Sequence, residues 1–156
     1  MSLVALATAI ALNAMPDRTK TPGAMRADIG VTEVCTIKWG QDRRHVTARM
    51  KRDVLKAYAG RITCKAGQCE IDHLVPRELG GADDVLNLWP EPYDGPWGAH
   101  AKDKLENCMH VRVCDTLKMS GKVAGQRMLD DYQWQMASDW PLAYRALISA
   151  EGSCIR

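Results

Sequence analysis

An aspartate and a histidine stand side by side at Asp72 and His73, in the run CEIDHLVP. An asparagine follows at Asn87 in VLNLWP, and a second histidine at His100 in GAHAKDKLE. These residue types suit the hydrolysis of a phosphodiester. That reaction needs an activated water, a cation to stabilise developing negative charge, and help for the leaving oxygen. An imidazole can take the proton from water near neutral pH. A neighbouring carboxylate suits a hard divalent cation, and an imidazole ligand suits Mn, Ni or Zn better. On this reading His73 is the base, and Asp72 and His100 are metal ligands. Asn87 holds the backbone near His73 and fixes the imidazole. The competing readings are a satisfied structural histidine at 73 and a surface histidine at 100.

The elements that must position these groups follow from the surrounding pattern. RITC and CEIDHL read as short strands about the turn KAGQ. RELGGADD reads as a loop, in which Gly80 and Gly81 permit a sharp reversal. VLNLWP is the next strand, stopped by Pro90, with Asn87 inside it. Asp94 is a candidate cap and Pro96 a first-turn residue for a helix over 97–113, with His100 near its start. The order is strand, loop, strand, helix. One geometric condition applies: neighbours in a regular strand point to opposite faces. Asp72 and His73 can share a site only where the strand bends or ends, and Pro76 favours an ending.

Upstream, residues 15–30 read as an extended linker. The β-branched run VTEVCTIKW (31–39) predicts a strand. Thr47 to Tyr58 predicts a helix, with Thr47 as N-cap, Gly60 as stop, and Met50, Val54, Leu55 and Tyr58 facing the core. A last helical part covers 122–149, broken near Pro141, where Trp134, Trp140 and Tyr144 are expected to pack.

The chain has 156 residues, enough for one core, and a net charge of only +2. Its distribution is more telling. Residues 38–65 carry nine Lys and Arg against Asp42 and Asp53, while acids concentrate in 69–106. A basic segment beside an acidic, histidine-bearing one suits a phosphate-binding metal site, and equally a solvated helix face. His45 reads as a surface residue. Six cysteines, at 35, 64, 69, 108, 114 and 154, favour disulfides over a zinc site, because neither close pair has the two-residue gap of a zinc knuckle. Their pairing stays open among 15 arrangements. The apolar, alanine-rich residues 1–14 are too short to span a bilayer and look like part of a secretory signal without its basic start. Together with the cysteines they imply a periplasmic or secreted protein with no membrane contact in its mature form.

The blocks IDHLVP, LNLWP and AHAKDKLE, in this order and spacing, resemble the HNH endonuclease family, and in particular small exported bacterial HNH proteins. The resemblance is strong over 69–114 and loose on the flanks. It implies an α+β fold with a ββα-metal core at about 62–114, further helices on both sides and a short N-terminal strand, in one domain over 31–156. It implies that His73 is the general base, Asp72 the first metal ligand, Asn87 the structural asparagine and His100 the helix ligand. Asp103, Glu106 and His110 are alternative helix ligands. Arg77, Lys102, Lys104 and Arg44 would contact phosphates. The implied cofactor is one divalent ion, Mg²⁺ first, with Mn²⁺, Ni²⁺ or Zn²⁺ as alternatives. The implied partner is nucleic acid, DNA ahead of RNA, cut with little sequence preference. Two other readings stand beside it. One is an inactive, disulfide-stapled module that binds polyanions; the other is a toxin with an immunity or inhibitor protein.

Overall fold

The computed structural model describes residues 15–39 and 42–149. The signal-like segment 1–14 lies outside them. The fold is α+β, a small antiparallel ribbon set among helices. Strands β1 (Cys69–His73) and β2 (Leu88–Pro92) pair so that Asp72 faces Trp89 and His73 faces Leu88. Two short 3-10 turns, Arg77–Leu79 and Val85–Asn87, lie in the connection. Asn87 therefore sits just before β2 rather than within it. Pro90 does not stop the strand. Tyr93 N donates across the ribbon to Gln68 O at 3.0 Å, so odd-numbered residues of β2 face β1. Pro90 and Pro92 fall on the outer edge, where a missing N–H costs no ladder bond. The expected strand at 61–64 is absent, and Cys64 is instead bridged to Cys69 across the KAGQ turn.

The predicted strand at 31–39 is a helix, α1 (Val31–Thr36). Val31 and Val34 lie one turn apart and are fully buried, and the Glu33 carboxylate accepts from Gly30 N at 3.0 Å to fasten the first turn. Tertiary burial and this cap outweigh the β-branched composition. Helix α2 (Ala48–Ala57) matches its expectation: Thr47 caps it by accepting from Met50 N, and Val54 and Tyr58 are buried. Leu55 is 40% exposed, so the core face is narrower than expected.

Helical residues continue over α3 (Ala99–Tyr144), with breaks at Gly121 and Asp139. The first stretch starts at Ala99 after Gly98, with no side-chain cap, so Asp94 does not serve as one. Gly121, at φ +83°, lets the chain fold back. Beyond it Gly125 lies against Leu117, and Met128 meets Thr116. Asp139 caps the short final stretch by accepting from Leu142 N at 3.1 Å, close to the break expected at Pro141. Trp140 is fully buried and Trp97 packs on both Trp140 and Tyr144. Trp134 is 69% exposed instead of packed.

Residues 15–30 are irregular, as expected of a linker, but they strap the body rather than tether it. Buried Thr21 meets the Tyr58 hydroxyl at 2.7 Å and donates to Leu88 O at 2.9 Å; Gly23 N donates to Leu86 O at 3.0 Å. No cysteine among the described residues is free. Cys35 of α1 is bonded to Cys114 of α3, 79 residues on. Closing so long a loop restricts the unfolded chain strongly. Cys35→Ala with Cys114→Ala should cost roughly 3–4 kcal/mol, read as a lower urea midpoint. An unchanged midpoint would show that the bridge adds no net stability.

Candidate active site

Strand β1 ends at His73, and its end forms one wall of a cleft of about 410 Å³. Asp72 and His73 both line it, with Asp72 Oδ1 3.5 Å from His73 Nδ1. The strand's end thus meets the condition that regular alternation would forbid. Trp39, Asp42, Arg44, Arg77, Glu78 and Glu106 complete the lining.

The loop after β1 is held by Asn87. Its Oδ1 accepts from Val75 N at 2.9 Å, and its Nδ2 donates to Val75 O at 2.9 Å and Ala82 O at 3.1 Å. A fully buried amide satisfied this way fixes the backbone on both sides of the loop. Gly81 is obligatory in it, because a Cβ there would lie 1.8 Å from Val75 O. Asn87 steadies the backbone beyond His73, as expected, but does not touch the imidazole. The ring's partner is Asp83, whose Oδ1 lies 2.7 Å from His73 Nε2. Asp83 Oδ2 accepts from His45 N at 2.6 Å, and Arg77 Nε lies 3.3 Å from Oδ1. Burial disfavours the Asp83 charge, but the His45 N–H, His73 and Arg77 outweigh it and hold the carboxyl below its ordinary range. The loop reading of GGADD contained this residue without marking it.

Lys102, expected to contact phosphate, is turned inward instead. It is fully buried, and its Nζ sits among three carboxylates: Glu106, hydrogen-bonded one turn on, and Asp72 and Glu91, each at 3.4 Å. Burial disfavours the ammonium, yet Glu106, Glu91 and Asp72 together keep it firmly charged. Burial also works against Asp72, but His73, Lys102 and Arg44 hold it well below the carboxylate range. The glutamates fare differently, since one ammonium cannot neutralise three acids. Burial pushes Glu91 up to about 8 and Glu106 up to about 7, against the pull of Lys102. Burial likewise raises Glu78 to about 7. The i, i+4 spacing of Lys102 and Glu106 was a visible signal for the pair; nothing in PEP marks Glu91 as buried.

The other expected residues divide. Arg44 reaches the site, donating to Ile71 O at 2.9 Å and lying 3.3 Å from Asp72 Oδ1, with its side chain 40% exposed. Arg77 is tied to Asp42, Asp83 and Arg43 O. Glu106 is the helix acid on the cleft wall. His100 is exposed and stacks on Tyr93, away from the lining; Asp103 and Lys104 are exposed outside it as well. His110 Nε2 lies 3.1 Å from Val34 O, at the α1 contact rather than in the cleft. Helical phase explains this: Lys102 and Glu106 share the face turned to the ribbon, and His100, Asp103 and Lys104 do not.

Among the described residues, no three His, Cys, Asp or Glu are grouped to hold a metal ion. The donor chemistry nevertheless fits a hard divalent cation. Acids outnumber bases on the walls. Asp72 and Glu106 are two carboxylates of the kind that bind Mg²⁺ together with water. No family model, curated protein or solved structure matches this chain.

The raised Glu91 has a consequence for stability. A carboxyl that holds its proton more tightly when folded stabilises the fold fully below its unfolded value, 4.5, and that contribution is lost as pH rises toward about 8. Asp72 and Asp83, shifted the other way, lose stability only in more acidic solution. Tm should therefore fall between about pH 5 and 8, and Glu91→Gln should flatten the decline. Thermal unfolding at constant ionic strength checks this; a Tm that climbs across the window contradicts it.

Proposed function

We propose that the protein is a metal-dependent phosphodiesterase acting on nucleic acid, DNA ahead of RNA, with an HNH-like ββα core formed by β1, β2 and the start of α3. The observation that carries this reading is the cleft at the end of β1. There a histidine oriented by one carboxylate, Asp83, stands beside a second, Asp72, with Glu106 on the same lining. The motif blocks of the sequence support it independently.

In this reading a water lies against His73 Nδ1 and Asp72 Oδ1. The imidazole removes its proton, and the resulting imidazolium is stabilised by Asp83 on the far side of the ring. Asp72 and Glu106 would hold the divalent ion, whose chemistry is to stabilise charge on the phosphoryl group and the leaving oxygen. Arg44, exposed at the rim, meets a phosphate oxygen. The exposed Arg49, Lys51 and Arg52 of α2 extend a basic surface for the backbone, without base-reading groups. Salt sensitivity follows from such contacts. The disulfides support export to an oxidising compartment, and among the described residues no helix is long and apolar enough to cross a membrane.

A second reading has one observation in its favour: the Lys102 ammonium already lies between Asp72 and Glu106. On that reading the lysine replaces the metal, and the protein binds polyanions without cutting them.

Supercoiled plasmid in low salt, with Mg²⁺, Mn²⁺, Ni²⁺, Zn²⁺ or EDTA, separates the two. Cleavage should need a metal, and His73→Ala should lower its rate about 10²–10⁴-fold without loss of fold. Equal cleavage by His73→Ala would falsify the assignment. Binding of DNA and RNA with no cleavage under any metal favours the second reading.

A further inference from the structure

We infer that Asp83 is the positioning residue that holds His73 as its Nε2–H tautomer, leaving Nδ1 as the atom that receives a proton on the side of Asp72. The inference rests on the hydrolytic reading for its purpose, but not for its structural content.

Three observations carry it. First, the 2.7 Å approach of Asp83 Oδ1 to His73 Nε2 is a full hydrogen bond, whereas Nδ1 lies 3.5 Å from Asp72 Oδ1, beyond a normal one. A carboxylate only accepts, so a neutral ring beside it places its proton on Nε2. Second, Asp83 cannot turn away. Its Oδ2 is occupied by His45 N at 2.6 Å, and Arg77 Nε flanks Oδ1 at 3.3 Å. Third, the loop that presents Asp83 is itself fixed. Gly81 N donates to Pro76 O at 2.9 Å, Ala82 N to Ala24 O at 3.0 Å, and Asn87 holds Ala82 O. Asn87 therefore acts on the imidazole through Asp83: it builds the loop, and the loop aims the carboxylate. With the ring held from its far side, the base atom is presented at the cleft and cannot be lost to a ring flip.

Imidazole ¹⁵N shifts of the wild-type protein, in alkaline solution, test this without any assay. The His73 signals, identified by their loss in His73→Gln, should show a protonated Nε2 and a bare Nδ1. The opposite tautomer, or an even mixture, overturns the inference. Asp83→Asn should lose that preference and cut kcat at least tenfold with KM within about twofold, at little cost in Tm. Asp83→Glu should recover part of kcat. If the wild type cleaves plasmid, His73→Ala does not, and Asp83→Asn matches the wild type, the inference falls while the hydrolytic reading stands. If nothing cleaves, the reading falls and the tautomer alone decides the role of Asp83.

Discussion

A single buried ammonium joins the ribbon to the helix. Lys102 reaches from α3 to Asp72 on β1 and Glu91 on β2, with Glu106 of its own helix alongside. Buried ion pairs contribute little net stability, because desolvation offsets attraction. Their geometric demand is strict, however, since removing one partner leaves uncompensated charge. Here the loss of Lys102 would leave three acids without their shared cation. The cluster thus adds a directional constraint to the apolar packing between ribbon and helix, beside the cleft that Asp72 and Glu106 line.

That arrangement also makes the cleft electrostatically unfinished. Three carboxylates share one ammonium, and the surplus is expressed as glutamates that retain protons well above their usual range. A pocket in this condition favours further positive charge, whether protons or a metal cation. Arg44 and Arg77 supply part of it at the rim. The contrast with the neighbouring Asp83 is informative. Three donors surround that carboxylate, it stays ionised, and it serves as a fixed acceptor.

Legibility in the sequence followed the range of the interactions responsible. The N-cap of α2 and the Gly80–Gly81 reversal depend on residues a few positions apart and were readable, whereas Pro90 does not end β2 as expected. Helix α1 was misread because its partners, including Cys114 and Gln126, are far along the chain. Asp72, His73 and Asn87 stood out by type and spacing, and the structure brings Asp72 and His73 to one cleft. His100 stood out in the same way but lies outside the cleft lining, because the helical face turned to the ribbon carries Lys102 and Glu106. Asp83 and Glu91 could not be singled out: one is an acid in a polar loop, the other an acid between prolines. Only the tertiary fold gives either a buried partner.

The strap formed by residues 15–30 carries a further implication. It bonds to Leu86 and Leu88 beside Asn87, to Ala82 beside Asp83, and to Tyr58 of the α2 end. The ribbon and its turns close over short sequence distances, but these bonds span tens of residues and carry a larger entropic toll in the search for the native state. The loop that sets Asp83 against His73 therefore rests on closure over a longer stretch of chain than the ribbon does. Loosening the strap would thus release the Asp83 loop while leaving the pairing of β1 with β2 intact.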